Sequence, residues 1–226
     1  MTTNIATLIL DGKLHQAMSL LEKELEENLT PIPQVYFRLA YVYKQLGQDD
    51  KYEPLCQYIF NSQLIITQAF YFEYSLYWLA REDYEMAQKV ISQGLQDHPE
   101  DAEMNYFAAY IWYMSDDFSQ QLNYKKAWTY IHDAFRLSPE DEVGASYYFL
   151  RAKIAYSLGI LRDALYDVLT VKGRFRVKEA YVMKLIGDIY YEMKEYASSK
   201  EMYELAIQLG ATHCEDDIAK CNRQLL

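Results

Sequence analysis

The sequence predicts an all-α fold built from stacked helix–turn–helix hairpins, and three observations carry that expectation. Gly and Pro together number only 13 of 226 residues, too few for a β-sandwich or barrel that turns every ten residues or so. Apolar residues recur at helical spacing: Val35, Leu39, Val42 and Leu46 fall at i, i+4, i+7 and i+11, and Ala87, Val90, Ile91 and Leu95 follow the same face. Features also recur at a fixed interval. Trp78 and Trp112 lie 34 residues apart, Gly12 and Gly47 lie 35 apart, and the small residues Ala40, Ser75, Ala109, Ala152 and Gly187 are spaced by 35, 34, 43 and 35. The long interval takes up extra residues around Ser115–Asn123 and Asp141–Gly144. A period of this length marks a repeat architecture, in which each unit buries its apolar face only against its neighbours.

The elements follow in order as one continuous array over 1–226. Residues 1–31 form a degenerate first unit (Gly12, Ala17, Leu21). Residues 33–66 form the second (Ala40, Tyr43, Gly47, Tyr52, Cys56) and 68–101 the third (Ser75, Trp78, Ala87, Ile91, Gly94, Pro99). The fourth, 102–141, carries Ala109, Trp112, Ala127, Ile131, Ala134 and Pro139. The fifth, 145–178, carries Ala152, Gly159, Ala164 and Val168, and the sixth, 180–213, carries Gly187, Tyr190, Ser199, Tyr203 and Ala206. Turns such as Leu46-Gly47-Gln48-Asp49 and Leu158-Gly159-Ile160-Leu161 end the first helix of a hairpin with glycine. Pro54 falls within an expected second helix; a start near Asp50 places it in the first turn, where its missing N–H costs nothing. Residues 214–226 read as a short polar capping helix, which a stack needs because its last apolar face has no neighbour.

These residues resemble the tetratricopeptide repeat (TPR) superfamily, with the best match over 68–101 and the resemblance extending over nearly the whole chain. Tyr52 and Ser199 depart from it, standing where the pattern has Ala. The resemblance implies a right-handed α-solenoid whose first helices line a concave groove. The implied groove positions are Phe37, Tyr41 and Lys44; Phe72, Leu76 and Leu79; Tyr106, Tyr110 and Tyr113; Phe149, Lys153 and Tyr156; and Lys184, Asp188 and Tyr191. Some members of the superfamily clamp a C-terminal carboxylate with Lys and Asn early in the groove. Phe37, Tyr41, Phe72 and Leu76 occupy those slots here, which argues against that clamp and leaves Lys153 and Lys184 to meet a single acidic group.

Charge and motif content narrow the function. The formal net charge of −11 repels nucleic-acid phosphates and anionic lipid, so neither nucleic acid nor membrane insertion is expected. No apolar stretch approaches 18 residues and the N-terminus lacks a basic leader region, so a cytoplasmic location is expected. Cys56, Cys214 and Cys221 make no disulfide framework. Shared on one helix, Cys214 and Cys221 would lie about 10 Å apart along its axis, beyond disulfide reach. The phosphate-binding, metalloprotease, nucleophile-elbow and CxxC patterns are all missing. His15, His98, His132 and His213 are scattered, and His213, Cys214 and Cys221 fit no common zinc spacing. Carboxylate runs at Asp116/Asp117 and Glu215/Asp216/Asp217 read as loops or helix starts favoured by the dipole. No enzyme activity, catalytic residue, metal or cofactor is therefore expected.

With 23 tyrosines, nine phenylalanines and three tryptophans, the groove rings either pack helix on helix or grip another chain. Burying three or four aromatic anchors at roughly 1.5–3 kcal/mol each against association costs of about 4–15 kcal/mol predicts weak to moderate affinity. The expected function is therefore protein–protein interaction: an adaptor or chaperone-like module holding a client peptide or helix. A structural subunit of an oligomeric (homo- or hetero-oligomeric) or secretion-type assembly, using outer or terminal repeat surfaces, is the second reading, and a peptide-sensing regulator the third. The basic run Lys172-Gly-Arg-Phe-Arg-Val-Lys178 reads as a solvated turn balanced by its neighbours or as a dock for an acidic partner. Phe118, in the Ser115–Asn123 insertion, reads as a contact candidate on a loop.

Overall fold

A computed structural model describes residues 4–28, 32–62, 64–115 and 120–226; Phe118, Asp116 and Asp117 lie outside the described residues. Among these, the backbone forms α1 (Ile5–Leu10), α2 (Leu14–Glu27), α3 (Pro33–Gln45), α4 (Asp49–Asn61), α5 (Gln68–Leu79), α6 (Tyr84–Asp97) and α7 (Ala102–Met114). They continue as α8 (Gln120–Leu137), α9 (Ala145–Ser157), α10 (Leu161–Gly173), α11 (Ala180–Glu192), α12 (Tyr196–Gln208) and α13 (Glu215–Gln224). No strand occurs among the described residues. The chain divides into two compact units, Met1–Tyr74 and Ser75–Leu226, with the division inside α5.

In the first unit α1 packs on α2, α2 on α3 and α3 on α4. Leu8, Ala17, Leu21, Val35, Leu39, Val42 and Ile59 are buried between them. Asn4 caps α1 by accepting from the Ala6 N–H at 3.0 Å, and Pro33 opens α3 at a position where no intrahelical donor is lost. Gly47 takes φ +66 at the turn into α4, a left-handed conformation costly for any residue with a Cβ. Helix α4 begins at Asp49, with two aspartates in its first turn, and this start moves Pro54 into the second turn. Pro54 therefore removes a hydrogen bond to the Asp50 carbonyl, at a place where both residues are exposed to solvent.

In the second unit, α7 to α13 each pack on the preceding helix, from α6 onward, and α7 also meets α9. This is the contact pattern of consecutive antiparallel hairpins. Asp83 and Asp101 cap α6 and α7, accepting from the Met86 and Met104 N–H groups at 3.0 and 2.7 Å. The periodic small residues Ser75, Ala109, Ala152 and Gly187 are all buried. At Gly187 the reason is visible: a Cβ there would lie 2.7 Å from the Tyr203 ring of α12. Ser199, which replaces the expected Ala, donates to the Gly187 carbonyl at 2.8 Å and so satisfies its buried hydroxyl. Helix α13 carries Glu215, Asp216 and Asp217 in its first turn and buries Cys221 beside Ser199 (Sγ–Oγ 3.4 Å). The three cysteines are free and buried.

Candidate binding surfaces

In the first unit the i, i+4, i+7 face of α3 puts Phe37, Tyr41 and Lys44 in one row. That row borders a hollow of about 390 Å³. Its other walls are Thr67 and the α5 residues Ala69, Phe70 and Glu73, and Tyr52 and Cys56 of α4 contribute from the second helix of the hairpin. The hollow exists because Ala40 and Ala69 leave space that larger side chains would fill. Lys44 and Glu73 form an ion pair at its edge, and the Phe37 and Phe70 rings meet at 5.7 Å. Burial pushes the Cys56 thiol up to about 12. It also holds the Tyr52 phenol well above its ordinary value, with Cys56 adding to the effect. Both groups stay neutral at physiological pH. A second hollow of about 370 Å³ is lined by Ala6, Ile9 and Leu10 of α1 together with Phe37, Arg38 and Tyr41. Phe37 and Tyr41 thus make a ridge between two hollows, and Tyr41 is 48% exposed on it.

Phe72 and Leu76 are half-buried on α5, and their residues fall on either side of the division between units. In the second unit Tyr106, Tyr110 and Tyr113 are half-buried along α7. Tyr106 stacks on Tyr147 at 4.5 Å and 18°, and Phe149 meets Tyr181 edge-on at 5.0 Å. Tyr191 meets Tyr196 at 5.4 Å. Rings within a hairpin (Tyr191, Tyr196) and from successive hairpins (Tyr106 with Tyr147, Phe149 with Tyr181) therefore spend part of their surface on one another. Lys153 extends over the Tyr113 ring (4.8 Å to its centroid) and near Phe149 (6.0 Å). Burial lowers the pKa of its ammonium, and among the described residues no carboxylate pairs with it. Lys184 is different: it donates to both oxygens of Asp188 at 3.0 Å, and Asp188 also accepts from the Tyr203 hydroxyl at 2.9 Å. Burial, followed by the Asp188, Glu192 and Asp217 carboxylates, pushes the Tyr156 phenol up to about 12.

The helical face of α3 was readable from spacing, whereas the partners across it were not. Tyr52 stands out in the sequence only as a departure from the repeat pattern, and Cys56 only as a repeat position. The only sequence signal for the hollow was a pair of alanines, Ala40 and Ala69, amid large aromatic neighbours. Among the described residues no group of three or more His, Cys, Asp or Glu is placed to hold a metal ion, and no helix is long and apolar enough to cross a membrane.

No protein-family profile matches the chain, and no curated protein sequence matches it. Solved structures do. The C-terminal part of a TPR repeat-containing protein from Cytophaga hutchinsonii is similar at TM-score 0.68 and 13% identity, covering 98% of this chain and 82% of that one. PilW, described as a widely conserved type IV pilus biogenesis factor, is similar at TM-score 0.68 and 15% identity, covering 95% and 94%. PilF of Pseudomonas aeruginosa is similar at TM-score 0.60 and 15% identity, covering 85% and 89%. At these identities the likeness establishes the fold, a TPR-like α-solenoid of helical hairpins.

Proposed function

We propose that this chain is a protein-interaction module, adaptor or chaperone-like, that holds an apolar segment of a client protein on the first-helix faces of its hairpins. The observation that carries this reading is the α3 ridge. Phe37 and Tyr41 stand between two hollows, and the larger has room for a Leu, Phe or Tyr side chain. A concave apolar site with a few polar groups at its edge is the usual form of a site that takes side chains. The Lys44–Glu73 pair supplies that polar edge. In the second unit Tyr106, Tyr110, Tyr113, Phe149, Tyr156 and Tyr191 offer a mostly apolar face, and Lys153 is its uncompensated cation. An acidic residue of the client beside Lys153 would recover the attraction that partial burial makes stronger than in water. Lys184 serves this purpose less well, because Asp188 already neutralises it.

The fold, a TPR-like stack of helical hairpins, supports binding. The test is selection from a peptide display library on the wild-type chain and on Ala69→Trp. Ala69 is exposed at the rim of the hollow, so an indole there fills the space without disturbing the core. Wild type is expected to enrich segments carrying one large apolar residue, and Ala69→Trp to weaken their binding at least about tenfold, the equivalent of one lost anchor of ~1.5–3 kcal/mol. Equal enrichment on both proteins would reject the hollow as the anchor.

A further inference from the structure

The segment 172–178, running from the last turn of α10 into the connection to α11, gathers four cations in a chain of net charge −11. Its backbone is held in place: Arg174 and Phe175 N–H groups donate to the Thr170 carbonyl at 2.9 and 3.4 Å, and Val177 donates to the Val171 carbonyl at 3.3 Å. Side chains alternate along it. Phe175 and Val177 are half-buried, Phe175 against Tyr148 at 5.7 Å and Val177 against the apolar core of the unit. Arg174, Arg176 and Lys178 are exposed. The turn is thus a short built platform that anchors two apolar residues and presents three charges.

Among the described residues none of Lys172, Arg174, Arg176 and Lys178 forms an ion pair. The nearest polar partner of Arg174 is the neutral Tyr148 hydroxyl, at 3.4 Å, and that of Lys172 is the Met202 sulfur, at 3.7 Å. Direct pairing with neighbouring carboxylates, one of the two readings of this turn, is not found among the described residues, although the chain holds 33 acidic residues. Arg176 also sits at φ +54, a left-handed conformation that glycine adopts freely and arginine only at a cost. On the preceding helix Tyr166 and Leu169 are 68% and 39% exposed, apolar surface within two turns of the charges.

We propose that this turn, with Tyr166 and Leu169 beside it, docks an acidic segment of a protein partner. Charge complementarity favours that occupant over a membrane or nucleic acid. Taking the four cations away leaves the rest of the chain at −15, which repels any broad anionic surface brought up to it. A short acidic segment meets only the turn, because attraction and repulsion both fade beyond a screening length of roughly 8 Å at physiological salt. The exposed tyrosine and leucine would contact apolar residues interspersed among the carboxylates.

The experiment is fluorescence anisotropy with a labelled peptide of glutamates interspersed with leucines. A lysine-for-glutamate counterpart, a single-stranded DNA oligonucleotide and phosphatidylserine vesicles are assayed in parallel. The full chain is compared with Arg174→Glu/Arg176→Glu/Lys178→Glu and with the single exposed change Lys178→Glu, each checked by thermal melting. The acidic peptide is expected to bind the wild type and to weaken about tenfold between low and moderately high salt. Binding is expected to be lost in the triple variant and reduced a few-fold in Lys178→Glu. Absence of peptide binding at low salt overturns the proposal. So does equal binding by the wild type and a folded Lys178→Glu, or tighter binding to DNA or vesicles than to the peptide.

Discussion

At five hairpin turns among the described residues the backbone enters the left-handed region, and the chain meets that need in two ways. Gly12, Gly47 and Gly159 take φ +72, +66 and +76, while Glu82 and Lys194 adopt φ +60 and +65 in the corresponding turns. A Cβ at such a position costs roughly 1–2 kcal/mol, partly offset because glycine leaves the unfolded chain freer. Lys194→Gly is therefore expected to stabilise the protein by about 0.5–1 kcal/mol, seen as a higher urea midpoint with an unchanged slope. Gly47→Ala should destabilise by about 1 kcal/mol from the backbone alone, because nothing lies within 4 Å of the added carbon. A fall in midpoint for Lys194→Gly would mean that its side chain contributes more than its backbone costs.

At the scale of elements, helix-to-helix contacts depend on a few matched pairs. Arg151 of α9 forks onto Asp167 of α10, Nε and Nη2 donating at 2.7 and 2.8 Å. The guanidinium lies 3.8 Å over the Phe135 ring of α8, so one side chain joins three helices. Asp167 is 1% exposed, and its carboxylate has no water to fall back on. Removing Arg151 leaves that charge buried and unpaired, and Arg151→Met is expected to cost on the order of 3 kcal/mol. Arg151→Met/Asp167→Leu, which removes both charges, should recover much of that loss. The comparison of urea midpoints decides whether the pair stabilises the hairpin or merely avoids a penalty. Between α11 and α12 the limit is steric, since Gly187 leaves room only for hydrogen beneath Tyr203.

Across the whole molecule the abundance of tyrosine makes stability depend on alkaline pH. Burial raises the phenol pKa of Tyr43, Tyr52, Tyr106, Tyr113, Tyr156 and Tyr203, in the case of Tyr156 to about 12. The folded state keeps protons that the unfolded chain sheds near pH 10. Stability from this source is complete below pH 10 and is lost as pH rises through and beyond 12. The urea midpoint is expected to fall steeply over that window, with tyrosinate absorbance appearing together with unfolding. Tyrosinate signal that grows while the helical circular dichroism stays intact would contradict this assignment.

Local sequence determined the hairpins. Helical apolar spacing, glycine at turns such as Gly47 and Gly159, and the acidic start of α13 all act within a few residues, so they can be read without knowing what lies opposite. Only tertiary structure decided which of those faces remains open. Ala40 and Ala69 open a hollow because α3 and α5 meet there above Tyr52 and Cys56. Lys184 is neutralised because Asp188 shares its helix face, and Tyr106 and Phe149 are partly occupied because Tyr147 and Tyr181 of the next hairpins reach them. The turn at 172–178 keeps its charge because, among the described residues, no carboxylate forms an ion pair with it. Period is a property of neighbours along the chain, whereas vacancy and uncompensated charge are properties of neighbours in space.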